Sequence, residues 1–357
     1  MTDISALRKF AFPALKPGTV IDLSNFTSIL VGAPDKLYIR SEYIVAIEQW
    51  NASSSGFILT GSPGIGKSTF GKLFLCYLIS KGEKVMYWQL NLSLPILFSG
   101  GKAEYFDMRT LVGYDFSDIT IIYDDKKGFQ SKFDCKFHKY LIIHSPSADI
   151  SNSEKAVGLS SGLWCMNPAT LEECNEIREK CSWKCNEDDV VERFLLVGGL
   201  FRYLQKDTAE LRRTVNEGCL KVATNIIDIT RCNSLPASDE KLSHKVIHMH
   251  RVPDSDTGIF LEFGSEFIAK TIIEASALSN EAQLLKIVNC VDINGSLRGD
   301  IFENRMHSIL SCFSDFTFSG KSLPGESSSV KTFSVKTASA MQFQNLSSIE
   351  KVLKSAI

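Results

Sequence analysis

The sequence predicts an α/β fold: a parallel sheet with helices on both faces, followed by a mainly helical region. Three observations carry that prediction. Short apolar runs of strand length alternate with longer segments of helical periodicity between residues 41 and 144. The octapeptide Gly61-Ser62-Pro63-Gly64-Ile65-Gly66-Lys67-Ser68 stands between one such run and a helix. A later run, Ile119 to Tyr123, ends in two acids, Asp124 and Asp125.

Residues 1–40 alternate short apolar groups with Pro13, Pro17, Gly18, Gly32 and Pro34, the pattern of an irregular lead-in or a small strand pair. Ser41 to Trp50 has apolar residues at helical spacing behind a capping serine, Ser41. Gly56 to Thr60 is short and wholly apolar in its middle, which suits a buried parallel strand. Lys67 to Lys81 reads as a helix closed by Gly82. Lys84 to Leu90, Asp118 to Asp125 and Lys139 to His144 are the next strands, with a less regular stretch at 91–117. After Pro146 a Ser- and Gly-rich loop leads to helices over 170–184 and 187–204. Ile259 to Phe263 is strand-like, 266–288 and 297–313 look helical, and 314–340, rich in Ser, Thr and Lys, reads as the least structured part. The expected organisation is a lead-in (1–40), a core (41–150), a helical lid (151–255) and an α-rich C-terminal region (256–357).

Composition narrows the class. Of the 357 residues, 44% are hydrophobic and 22% charged, too apolar a balance for disorder. A net charge of −2 gives no whole-chain reason to expect nucleic acid or an anionic membrane as partner. Apolar runs such as Leu141 to Ile143 fall far short of the ~20 residues of a spanning helix, so a membrane role is not expected. The ten scattered cysteines read as reduced thiols, and the first residues lack the apolar core of a signal peptide. An intracellular protein, of cytoplasm or nucleus, is expected.

The chemistry is concentrated at 61–68, which meets G-x-x-x-x-G-K-[S/T] in full between a strand and a helix. Glycines let the backbone turn successive N–H groups inward as a cradle for phosphates, and the helix N-terminus adds partial positive charge. Gly61, Ser62, Pro63, Gly64, Ile65 and Gly66 are expected to form that cradle, with Thr69 completing it behind Lys67 and Ser68. Lys67 should reach the β/γ-phosphates and the Ser68 hydroxyl should ligate Mg²⁺, so ATP with Mg²⁺ is the expected ligand. Asp124, at the end of its strand, is assigned to the metal shell. Asp125 is assigned to the attacking water, a place more often filled by Glu. The strand at 84–90 intervenes between the phosphate-loop helix and the acid strand, consistent with ATPases that have an additional central strand. No Asn-Lys-x-Asp occurs, which favours adenine over guanine.

Other candidates have two readings. Ser145 is placed either to sense the γ-phosphate or to cap the turn before Pro146. Arg202, behind Gly198 and Gly199, is either a cis arginine for the γ-phosphate or an ordinary solvated or ion-paired residue. Cys174, Cys181 and Cys185, with Cys165, invite a zinc reading, but lack C-x-x-C spacing and suit a packed helix face. His244, His248 and His250 cluster without an acid or cysteine to complete a site.

The segments ILTGSPGIGKSTFGKLFLCYLISKG, YDD, LIIHSP and RFLLVGGLFRYL, in that order, resemble the ATPase module of Crinkler effectors and retrotransposon hot spot proteins. The resemblance implies a P-loop NTPase of the additional-strand, AAA/STAND-like class over roughly residues 35–310. It places Arg202 at the second-sensor position, with Phe201 where proline is usual. It also implies nucleic acid as one possible partner, beside a protein partner or a second copy. Gly299-Asp300-Ile301-Phe302-Glu303 and His307 match the helix that leads into a nuclease in such proteins. Lys321, Lys331, Lys336, Lys351 and Lys354 follow Ser319, Ser329, Ser334, Ile349 and Val352 rather than acids, so the nuclease metal site is not expected. The main expectation is therefore ATP hydrolysis. A nucleotide-dependent binding switch or effector scaffold is the alternative, and a small-molecule kinase, for which 91–117 offers only Arg109, ranks last.

Overall fold

A computed structural model describes residues 2–3, 15–24, 34–89, 94–107, 115–125, 137–144, 162–231, 245–253, 258–279, 315–321 and 330–336. In chain order the elements are β1 (Thr2–Asp3), β2 (Val20–Asp22), β3 (Lys36–Tyr38), α1 (Ser41–Ala52), β4 (Gly56–Thr60) and α2 (Lys67–Ser80). Next come β5 (Lys84–Gln89), β6 (Ile96–Ser99), β7 (Lys102–Tyr105), β8 (Ile119–Asp125), β9 (Lys139–His144) and β10 (Leu163–Cys165). They are followed by α3 (Leu171–Lys180), α4 (Glu187–Val197), α5 (Phe201–Leu204), α6 (Thr208–Arg231), β11 (Ile247–Arg251) and β12 (Ile259–Phe263). Last are α7 (Glu266–Ser279), β13 (Asp315–Lys321) and β14 (Val330–Lys336).

The main sheet runs β1-β7-β6-β5-β8-β9-β4-β10. From β5 to β10 every pairing is parallel, and β6, β7 and β1 extend the sheet antiparallel. The α/β class and a mainly parallel sheet are as expected. The order of strands corrects one detail. The strand inserted between β4 and the acid-bearing β8 is β9, whereas β5 lies on the far side of β8. Chain order placed β5 between them, but sheet order depends on crossovers that chain order does not specify.

Alternation along the strands sends side chains to two cores. Phe57, Leu59, Val85, Tyr87, Ile122, Leu141 and Ile143 join the core that holds α1 and α2. Ile58, Met86, Ile121, Tyr123, Tyr140 and Ile142 face the other way. Among the described residues that second face is covered by Phe106, Phe116 and Phe137, from segments between strands, and not by a helix. Burial on both faces explains why these strands read as continuous apolar runs. Helix α2 ends as expected: Gly82 N–H bonds Ile79 O and Glu83 N–H bonds Leu78 O, at 3.0 and 3.1 Å.

Four local expectations change. Arg40, not Ser41, stands at the N-cap of α1, and it makes no side-chain cap. The stretch 91–117 contains the β6–β7 hairpin. The helix expected over 187–204 divides into α4 and α5 at Gly198, whose φ of 69° and ψ of −159° leave the helical path, and Gly199 beside it has no room for a Cβ, which would lie 1.9 Å from Ala169 O. The segment thought least structured holds the β13–β14 ladder, Asp315↔Lys336 through Lys321↔Val330. The sheet also takes β10 from beyond residue 150, and the β11–β12 hairpin runs across 255. The helix expected at 297–313, the nuclease-like segment within it and His244 lie outside the described residues, as does the loop expected at 147–163 up to residue 161; its last residue, Leu163, begins β10.

Candidate functional site at the end of the parallel strands

The site begins where β4, buried along its whole length, runs out at Thr60. Gly61, Gly64 and Gly66 have φ of 131°, 89° and 99°, values L side chains rarely adopt, and they fold the chain back over the strand end. Gly66 is the N-cap of α2 and carries no side chain to satisfy the first amides of the helix. Lys67 is the first helical residue, and its side chain turns back into the loop. Nζ donates to Gly61 O at 2.5 Å and to Ser62 O at 2.9 Å.

Burial pushes the Lys67 ammonium down to about 7, and nearby Arg202 acts in the same direction. Cys165 and Asp124 oppose the shift, but burial holds the Cys165 thiol up at about 12, so near neutrality Asp124 is the anion that counts. A buried ammonium with only carbonyls as hydrogen-bond acceptors is poorly neutralised, and an incoming anion would relieve it.

The expected metal pair is brought together. Ser68 Oγ lies 3.1 Å from Asp124 Oδ1, across from the loop at the C-terminal end of β8. Strands β8 and β9 place Asp124 opposite Ile143 and Asp125 opposite His144. Lys72, one helical turn beyond Ser68, is buried; burial lowers its ammonium, and Asp124 opposes that shift. A hydroxyl and a carboxylate are the hard oxygen donors that Mg²⁺ takes, with phosphate oxygens and water completing its shell. Among the described residues no group of three or more His, Cys, Asp and Glu is arranged to hold a metal. The side chain of Asp125 and the whole of Ser145 lie outside the described residues. Thr69 is half-buried on the first turn of α2.

Arg202 also reaches the loop. Its N–H lies 3.4 Å from Gly64 O, and a Cβ on Gly64 would sit 2.9 Å from Arg202 Cβ. Helix α5, which carries Arg202, therefore closes on the middle of the loop.

The residues that brace the loop from behind were not anticipated from the sequence. Arg40 is 1% exposed and donates Nη1 to Ile65 O at 2.8 Å and Nη2 to Asn167 O at 3.2 Å. Its Nε and Nη2 grip the two oxygens of Glu173 on α3, each at 3.0 Å. Tyr43 OH donates to Gly66 O at 3.1 Å. Glu42 accepts from both nitrogens of Asn167 and pairs with Arg251 at 3.3 Å. The edge of β11 is docked on this group: Met249 N–H donates to Ser62 Oγ and Arg251 N–H to Asn167 Oδ1, both at 2.8 Å. The only sequence signal was an arginine closing the apolar run Leu37-Tyr38-Ile39, and an Asn-Pro pair at 167–168.

His248, on the same strand, fits between Gly198 and Gly264, where added Cβ atoms would come within 3.0 and 2.5 Å of its ring. Burial pushes its imidazole down to about 3, so it packs there neutral. Among the described residues no helix is long and apolar enough to cross a membrane. No family model, curated protein or solved structure matches the chain. The fold and geometry thus define an α/β protein with a glycine-rich loop, a buried lysine and a hydroxyl–carboxylate pair at the end of a parallel sheet.

Proposed function

We propose that the chain is a P-loop NTPase of the additional-strand class that binds ATP with Mg²⁺ and hydrolyses it to ADP and phosphate. The observation that carries this is the meeting of Ser68 and Asp124 at 3.1 Å beside a loop whose lysine is folded onto its own carbonyls. The position of β9 between β4 and β8 supports the additional-strand class, AAA/STAND-like, and the absence of Asn-Lys-x-Asp supports adenine. The motif order resembling Crinkler and retrotransposon hot spot ATPases points the same way.

In this reading the loop amides 61–68 cradle the triphosphate and Lys67 exchanges two carbonyls for phosphate oxygens. Ser68 and Asp124 would hold Mg²⁺, which when bound neutralises charge on the β- and γ-phosphates. Asp125 positions the water that attacks the γ-phosphorus in line, breaking the β,γ-bridging P–O bond so that ADP leaves. Arg202, already against Gly64, turns toward the developing charge. Single-turnover hydrolysis of bound ATP by the full chain tests this. Wild-type protein should convert ATP to ADP and phosphate and Lys67→Ala should not; turnover undiminished in that variant removes Lys67 from the reaction.

One observation favours a second reading, a binding switch with little turnover. The phosphate loop is hydrogen-bonded through Ser62 to the backbone of β11, a strand remote in sequence, so occupancy of the loop can be passed to the hairpin. Bound ATP that stays intact for hours while the hairpin amides change their exchange rates selects the switch. Protein or nucleic-acid partners belong to either reading as further proposals.

A further inference from the structure

Two pairs of loop carbonyls are held in different ways. The oxygens of Gly61 and Ser62 are held by Lys67 Nζ, the group a phosphate would draw away. The oxygen of Ile65 is held from the other side by Arg40 Nη1 at 2.8 Å, and that of Gly66 by Tyr43 OH at 3.1 Å together with the first helical bond of its own helix, from Phe70 N–H at 2.8 Å. Neither donor is adjustable. Arg40 is locked in a fork on Glu173 and lies 5.1 Å from the Phe201 ring; Tyr43 is buried against Phe70.

A trans peptide points its C=O and N–H in opposite directions, and no peptide bond among the described residues is cis. The carbonyl of Ile65 shares a plane with Gly66 N–H, and that of Gly66 with Lys67 N–H. Anchoring the Ile65 oxygen on Arg40 therefore turns Gly66 N–H away from that guanidinium, while Lys67 N–H is fixed by the helical bond on Gly66 O and by Tyr43 together. A Cβ on Gly66 would sit 2.5 Å from Tyr43 OH, so the contact also requires the glycine.

We propose that Arg40 and Tyr43 are positioning residues for phosphate: from the N-cap and first turn of α1 they help preform the 65–67 half of the anion cradle before ligand arrives. They touch no phosphate themselves. The inference rests on the phosphate-loop reading of 61–68 and adds what shapes that loop. Preorganisation of this kind appears as affinity, because a cradle already shaped costs less to order on binding. It belongs to the phosphates and not to the base, so nucleoside-free tripolyphosphate must feel it as strongly as ATP does.

The test is the affinity of full-length wild type, Tyr43→Phe and Arg40→Lys for Mg·tripolyphosphate and for Mg·ATP, with unfolding midpoints measured alongside. Tyr43→Phe keeps the ring and removes only the donor. It should weaken both ligands by the same factor, about threefold to tenfold, as the loss of one hydrogen bond implies. Arg40→Lys keeps the charge but loses the fork, and should weaken both by roughly tenfold to a hundredfold. In turnover, KM should rise while kcat holds. A merely structural role would show as fewer competent sites at unchanged affinity. That outcome, or an effect on ATP that tripolyphosphate does not share, overturns the proposal. If Arg40→Lys does not fold, Tyr43→Phe decides alone. Wild-type protein that binds neither ligand ends the phosphate-loop reading itself, whereas binding unchanged by Tyr43→Phe ends only the positioning role.

Discussion

Two buried cations stand on either side of the 61–68 loop, and they are treated in opposite ways. Arg40 pays for burial, which lowers its basicity, with a carboxylate fork from Glu173, and the net effect is a guanidinium held above its ordinary range. Lys67 has two carbonyls for partners and sinks to about 7. A buried charge matched by a fixed counter-charge is part of the scaffold. A buried charge whose hydrogen bonds go only to carbonyl dipoles is poised for an anion that arrives from solution. The difference separates what shapes the site from what reacts to its ligand.

The comparison breaks first at Glu173. Glu173→Ala leaves the Arg40 guanidinium buried without its counter-charge, and should cost about 3–5 kcal/mol in denaturant unfolding. A loss below about 1 kcal/mol would mean that Arg40 is not held as described.

Next comes the pH dependence of Lys67. Its folded value, about 7, is lower than its unfolded one, so between about pH 7 and 10 the unfolded chain binds more protons. The Lys67 contribution to ligand-free stability should therefore rise with pH across that window, and fall toward neutrality, where the buried ammonium must be charged. In the proposed reading, binding of a triphosphate would reverse the preference by restoring the charged form. Calorimetry at about pH 8 in buffers of different ionisation enthalpy should show proton uptake on binding. Proton release, or none, contradicts the assignment.

The smallest effect is expected at Ser62. Ser62→Ala removes the acceptor for Met249 N–H and should cost about 1 kcal/mol or less. Hydrogen exchange at the Met249 amide should speed up, while exchange in the β4 strand core stays unchanged. Equal protection in both proteins would detach the hairpin from the loop.

How much of this was legible follows the range of the forces involved. The loop, α2 with its Gly82 stop, and strands β4, β5, β8 and β9 were readable because φ, capping and burial on both faces leave local marks in sequence. Ser68 and Asp124 were also paired in advance, since a phosphate loop calls for an acid at a strand end. The shell around them was not readable. Arg40 and Glu173 are 133 residues apart, and Glu42 and Arg251 are 209 apart, so nothing local ties them together. The place of β9 depends on how the chain crosses over the sheet. The β13–β14 ladder was masked by its Ser, Thr and Lys content, although Phe316 and Phe318, and Phe333 and Val335, alternate as strand residues do.

The most direct test is calorimetric titration of Mg·ATP into the full chain and into Lys67→Met, with folding of both verified by their unfolding midpoints. Wild-type protein should give saturable binding, and the variant should bind about a hundredfold more weakly with a midpoint no lower than wild type. Well-folded wild-type protein that gives no heat of association with Mg·ATP, or a variant that binds as tightly, would contradict the account.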